Sequence, residues 1–342
     1  MSTRVDDITN KTQSITVSMR RPIYYWLFAV VMLCVAPFLG IYPIFLMKLL
    51  CFAMFACAFN LLIGYTGLIS FGHAAFFGSS AYVTGWLATS ANVTPELAII
   101  GGVATSALLA LSIGMISIRR QGIYFAMITL ALAQIVYFAC LQLPFTGGED
   151  GLQRVPRGNL FGVIPLQNDL VMYFFVLSVF VIVFMLLIRI VHSPFGQLLK
   201  AVRENEQRAT SFGYVAKHYK LLAFVISGAL SGLAGSIKCI ALGFATLTDV
   251  HWMMSGEVIL MTFLGGVGTF VGPPVGAVVV IGLQNMLSDK VGSWVTVILG
   301  LCFVACVSMF RRGIVGEWNT WWKTAGTGKN VSPKPKLQRF KS

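Results

Sequence analysis

The sequence predicts an all-α membrane protein, a polytopic bundle of about ten transmembrane helices, some of them broken by glycine and proline. Three observations predict it. Hydrophobic residues make up 57% of the chain and charged residues 11%, with a mean hydropathy of +0.80, which excludes an ordinary soluble domain. Apolar runs of roughly 20 residues, long enough to cross a bilayer, follow one another along most of the chain. Charged residues gather between and after these runs.

In chain order the runs are Tyr24–Gly40, Ile44–Leu62, Gly67–Ala88, Leu97–Ile118 and Ile123–Leu143. A polar loop, 144–168, separates them from Leu170–Val191. After a second polar stretch, 192–220, come Leu221–Leu242, Val258–Gly266, Val275–Leu287 and Trp294–Phe310. Residues 1–22 are polar and lack a small-residue cleavage site, so they read as a cytoplasmic segment and not as a signal peptide. Residues 23–316 form the transmembrane domain, and 317–342 a basic Lys/Gly/Pro-rich tail with little to bury, expected to be disordered.

Charge orients the spans. Arg4, Lys11, Arg20, Arg21, Arg119, Arg120, Arg189, Arg311 and Arg312 fall on one side, with the polar stretch 192–220. Glu96, Glu149, Asp150, Arg154, Arg157, Asp169, Asp249, Glu257, Asp289 and Lys290 fall on the other. By the positive-inside rule both termini and 192–220 are cytoplasmic. The net charge of +13 is accounted for by orientation and anionic lipid, so no nucleic-acid partner is expected. All seven cysteines (Cys34, Cys51, Cys57, Cys140, Cys239, Cys302 and Cys306) lie in apolar runs without metal-ligand spacing, and read as small buried hydrophobes.

The stretch 192–220 reads as a surface helix. Ser193-Pro194 supplies an N-cap with proline at the first helical position, and Gly213 a stop. Leu198, Leu199, Val202, Ala209 and Phe212 are expected to rest on the bundle, with Arg203, Glu204, Glu206 and Arg208 pointing away. Such a helix offers a cytoplasmic partner something to hold; a solvated loop obeying the charge rule is the alternative.

Polar and small residues stand out at several further places. Asn60, Ser70 and His73 sit among glycines at 64, 67, 72 and 78, either lining a solute path or packing helices closely around a satisfied histidine. Lys48 and Lys238 lie near outer span ends and are expected to snorkel. In the outer loop, Glu149 and Asp150 stand between glycines, in a turn that docks a partner or merely turns. SGALSGLAGS (227–236) has small-xxx-small spacing and reads as a helix-packing face. MTFLGGVGTFVGPPVGA (261–277) reads as two broken half-spans, with Gly265, Gly266 and Gly268 as further candidates for the path. It is not a phosphate loop, because no GxxxxGK[ST] occurs in the chain.

Taken together, NLLIGYTGLISFGHAAFFG, TGGEDGL, AVRENEQRATSFGYVAKHYKLLAFVISGALSGLAG, FLGGVGTFVGPPVGA and FRRGIVG resemble the LivM-type permeases of branched-chain amino acid ABC importers. The resemblance runs from about the first span to Gly316. It implies a bacterial inner-membrane permease that is not itself an enzyme and holds no cofactor. Its partners would be a homologous LivH-type permease, two cytoplasmic ATPase subunits that bind ATP and magnesium, and a periplasmic binding protein. It also implies that Arg203, Glu204, Asn205, Glu206, Arg208 and Gly213 belong to a coupling helix that meets an ATPase. Related permeases for urea, short amides or aromatic carboxylates share the pattern. An ion-coupled transporter fits less well, since only His73 approaches a mid-membrane ionisable group, and no enzymatic constellation is present.

Overall fold

The computed structural model describes residues 31–91 and 93–291, with 297–298, 300–301, 304 and 313–317. Residues 24–30 of the first expected span, most of the last one (Trp294–Phe310), the segment 1–22 and nearly all of the tail 317–342 lie outside the described residues. The described chain is overwhelmingly helical. Its helices are α1 (Pro43–Thr66), α2 (His73–Thr89), α3 (Pro95–Ser117), α4 (Ile123–Gln142) and α5 (Asp169–His192). Two short helices follow, α6 (Pro194–Glu204) and α7 (Glu206–Ser211), then α8 (Ala216–Leu242), α9 (Trp252–Gly265) and α10 (Gly272–Val291). Five of them, α1, α3, α4, α5 and α8, are long and apolar enough to cross a membrane.

Helix ends follow local chemistry. Proline opens α1, α3 and α6, where its missing N–H costs nothing. Asn168 caps α5 by accepting from the Leu170 N–H at 3.0 Å, and Arg189 and His192 complement its C-terminal dipole. Gly67 and Gly243 close α1 and α8 in the left-handed conformation, at φ 75° and 78°.

At the centre stands α1. Twenty of its 24 residues are buried, so it is surrounded by protein on every side. Against it and α2 packs α8, drawn in by small residues. An added Cβ on Gly232 would lie 1.9 Å from Ser106 Oγ, and one on Gly235 would lie 1.9 Å from the Phe77 carbonyl. The 227–236 face is therefore the close-packing surface its spacing predicts. By contrast α4 buries only Phe125, Thr129, Ala133 and Cys140, a single stripe, leaving the rest of its apolar surface to lipid.

Several span boundaries differ from the sequence reading: α1 runs on to Thr66, past Leu62, and α8 begins at Ala216, before Leu221. Residues 67–72 are not helical, and α2 begins only at His73. The run expected as Val258–Gly266 starts six residues earlier, at Trp252. In α10, Pro273 and Pro274 fall in the first turn, where they start the helix instead of breaking it.

Between α8 and α9 the chain turns back into the bundle. Phe244–Ala245 pairs antiparallel with Leu152–Gln153 of the outer loop, and a second ribbon joins Asn159–Leu160 to Ile164–Pro165. The next turn, Leu247–Val250, lies against the interior of α2, where a Cβ on Gly78 would meet Val250 Cγ2 at 2.3 Å. Lys238 therefore does not snorkel, and Asp249, in the connection between α8 and α9, does not face solvent. Both are buried, and the ammonium meets the two carboxylate oxygens at 2.7 and 2.6 Å. The same carboxylate accepts from the Thr246 N–H at 3.1 Å, completing a capping box. Glu257, also read as an outer-loop group, lies within α9 and is half-buried.

Asp249→Ala strands a buried ammonium and is expected to cost about 3–5 kcal/mol, whereas Lys238→Met with Asp249→Leu should stay near wild type. Thermal unfolding in detergent and abundance in membranes measure both, and equal losses in the two variants would contradict the pairing.

Candidate functional site

The stretch after α5 folds as two helices where the sequence suggests one. The Ser193 hydroxyl accepts from the Gly196 N–H at 3.4 Å and opens α6. Asn205 then leaves the helical region (φ −158°, ψ 99°) and caps α7 through the Arg208 N–H at 2.9 Å. An asparagine in mid-run is itself the signal, because its side chain competes for backbone N–H groups. Gly213, with φ 86°, ends the pair as predicted.

Leu199, Val202 and Ala209 are buried and Leu198 partly so, as the pattern requires. Phe212 is not: it is 76% exposed, in an apolar tip with Tyr214 and Val215. Glu204 and Arg208 face solvent. Two other charges expected outward are tied to neighbours, Arg203 while still exposed and Glu206 partly buried. Glu206 pairs with Lys220 of α8 at 2.7 Å and accepts from Gln121 in the α3–α4 turn at 2.6 Å. Arg203 donates to the carbonyl of Gly64, one of the last unpaired carbonyls of α1. Between α7 and the α3–α4 turn lies an open cavity of about 530 Å³, lined by Gln121, Asn205, Glu206, Gln207, Thr210 and Ser211. This is a concave, polar, extramembrane surface on a helix pair fixed to several spans.

The residues proposed for a solute path divide between two places. Asn60 lies buried in α1 and reaches the 266–271 break: its amide donates to the Thr269 carbonyl at 2.8 Å, and its carbonyl accepts from the Gly268 N–H at 2.9 Å. Asn60 and Gly268 thus come together as a clamp. Gly265 is equally committed, since an added Cβ would lie 1.8 Å from the Gly272 carbonyl, and Gly266 touches Gly313.

Ser70 and His73 lie on the other break, 67–72. The Ser70 hydroxyl accepts from the Gly72 N–H at 3.1 Å. His73 is fully buried, edge-on to Phe59, Phe76 and Phe224. Its Nε2 lies 2.9 Å from Ser227 Oγ. Because Ser227 gives its own proton to the Ala58 carbonyl at 2.6 Å, it accepts from His73 Nε2–H, and the ring is the Nε2-protonated tautomer. Asn60 and Ser70 are thus bonded to backbone, whereas His73 is bonded only through Nε2, its buried Nδ1 having no partner among the described residues. Glu149 and Asp150 are exposed in a short turn of the outer loop, free to meet a partner.

Fold and site define a multi-pass helical membrane protein that carries a short, polar helix pair between two of its long apolar helices. Residues 42–307 match the family model of the branched-chain amino acid transport system permease component, and the chain belongs to that family. It is 26% identical over 255 residues to the high-affinity branched-chain amino acid transport system permease protein LivM of Escherichia coli, covering 67% of this chain and 60% of that one. The LivM protein of Salmonella typhimurium is 25% identical with the same coverage. A probable LivM of Methanocaldococcus jannaschii is 26% identical over 168 residues, 48% of each chain. The chain thus spans about three fifths of the length of the two bacterial relatives. No solved structure matches it.

The glycine packing at the break gives a paired test. Gly265→Ala forces the Gly272 carbonyl aside and should cost about 1–3 kcal/mol, whereas Gly282→Ala, with open space at its Cβ, should be neutral or gain a few tenths. Unfolding temperatures of the two variants report the difference.

Proposed function

We propose that this chain is the permease subunit of an ATP-binding-cassette importer that translocates branched-chain or other hydrophobic amino acids handed over by a periplasmic binding protein. In this reading it sits in the bacterial inner membrane, with about ten spans and both termini cytoplasmic. It pairs with a homologous LivH-type permease and is driven by two ATPase subunits, which hold the ATP and magnesium. The exposed turn at Glu149 and Asp150 is the proposed contact for the binding protein.

The observation that carries the reading is the α6–α7 pair. It is capped, its apolar face is buried, and its ends are fixed to different spans. An importer permease needs a rigid extramembrane element, because a partner's hydrolysis cycle can shift the permease only through contacts that differ between its two states. The polar cavity beside α7 and the exposed Glu204, Arg208 and Phe212 give that partner charge, shape and an apolar anchor. Basic residues at 119, 120, 189, 200 and 217 support placing this end in the cytoplasm.

Glu204→Lys with Arg208→Glu tests the docking surface. Both side chains are solvated, so folding should change by no more than about 0.5 kcal/mol. Opposed charges across a partner contact cost several kcal/mol, so co-purification of the ATPase subunits and ATP-dependent leucine uptake in proteoliposomes should both be lost. Normal docking and uptake by the double variant would place the contact elsewhere.

A further inference from the structure

The carbonyls of the last turn of α1 have no partners within the helix, and the Gly64 carbonyl is taken by the Arg203 guanidinium. The stem of Arg203 runs over Gly67, with Cγ 3.3 Å from the place a Cβ there would occupy. Its Nη1 lies 3.7 Å from the Cβ position of Gly268. One arginine of α6 therefore touches both the end of α1 and the break between α9 and α10.

That break is bonded to the same short stretch of α1. Asn60 holds the Gly268 N–H and the Thr269 carbonyl, and the Tyr65 hydroxyl donates to the Gly268 carbonyl at 3.2 Å. Neighbouring contacts close the junction: His192, at the end of α5, stacks on Phe270 with ring centroids 5.3 Å apart, and the Lys200 ammonium lies 5.6 Å over the Tyr65 ring. Within the break, Gly266 and Gly268 have φ of 120° and 77°, conformations that glycine changes at little cost. Across Asn205 the connections differ, because Glu206 binds α8 and the α3–α4 turn. The helix pair is thus bonded at α6 to the end of α1 and at α7 to α8 and the α3–α4 turn, and of the two helices only α6 reaches the break.

We propose that Arg203 is a positioning residue for transport, tying α6 to the 266–271 glycine break so that movement of α6 resets the α9–α10 hairpin. This rests on the importer reading above and adds to it the route by which a docked partner reaches the membrane. The route needs a planar fork that holds a carbonyl while lying flat on two glycines, which lysine cannot reproduce although it keeps the charge. Large side chains at 64, 67 or 268 would block it: a Cβ on Gly64 already falls 2.9 Å from Gly268 Cα.

The test separates docking from transmission. In the assembled importer, with both permeases, ATPases and binding protein in proteoliposomes, Arg203→Lys and Arg203→Ala should retain the ATPases within about twofold of wild type. Leucine moved per ATP hydrolysed should fall about tenfold, a coupling change of the size one lost allosteric contact produces. Loss of co-purification in parallel with uptake would make Arg203 a docking residue, and an unchanged ratio would remove it from the route; either overturns the proposal. A second measurement needs no partner. With Val267→Cys in an otherwise cysteine-free chain, Arg203→Ala should speed maleimide labelling at least about threefold by loosening the break. An unchanged rate overturns the proposal even where Arg203→Lys transports poorly. Failure of the wild-type chain to bind any ATPase would instead defeat the importer reading, and the labelling rate would still decide whether Arg203 holds the break.

Discussion

A peptide group inside hydrocarbon has no water to bond, so every stretch of non-helical backbone at membrane depth must be satisfied by protein. Among the described residues the long helices are interrupted at 67–72, at 243–251 (which holds only the short helix Leu247–Val250) and at 266–271, and the positions of the polar side chains follow from these breaks. At 67–72, Thr129 accepts from the Phe71 N–H at 3.2 Å and Ser255 from the Ala74 N–H at 2.9 Å. At 244–251, Asp249 and the Leu152–Gln153 strand hold the backbone, with Lys238 neutralising the carboxylate. At 266–271, Asn60 takes one donor and one acceptor, while Thr269 accepts from the Gly272 N–H at 3.1 Å. The bonds from Asn60, Thr129, Ser255 and the Leu152–Gln153 strand join elements far apart in sequence, so contacts that satisfy the breaks also lock the helices in register. Apolar packing alone would not, since lipid tails are as apolar as the helix faces.

Much of this was legible in the sequence. Hydropathy located every described long span. Ser193 and Pro194 placed the start of α6 and Gly213 the end of the helix pair, and the spacing of Gly228, Gly232 and Gly235 identified the α8 packing face. What the sequence left open depended on tertiary partners. A buried lysine and a lysine at a span end look alike until Asp249 is seen to fold back beneath Lys238. The same holds for Arg203: on a charged surface helix it reads as solvated, and only the meeting of Gly64, Gly67 and Gly268 creates the flat surface on which it lies.

The candidate path residues carry a similar lesson. Polar groups among glycines in an apolar span mark either a route for a solute or a place where backbone needs bonds, and sequence does not distinguish them. Here Asn60, Ser70 and His73 are each engaged by named partners, and the glycines beside them let helices approach closely. The bonds of Asn60 bring a break in the bundle within reach of α6. The fold thereby joins the surface that a soluble partner can grip to the backbone segment best able to change conformation.

The central claim is that protein side chains, not water, satisfy the breaks. Amide hydrogen exchange on the purified chain in lipid nanodiscs tests it directly. The account predicts that Phe71, Ala74 and Gly268 exchange as slowly as the flanking helices, and that Asn60→Leu accelerates exchange at 266–271 while leaving 67–74 protected. Rapid exchange at all three amides in the wild-type chain would contradict it.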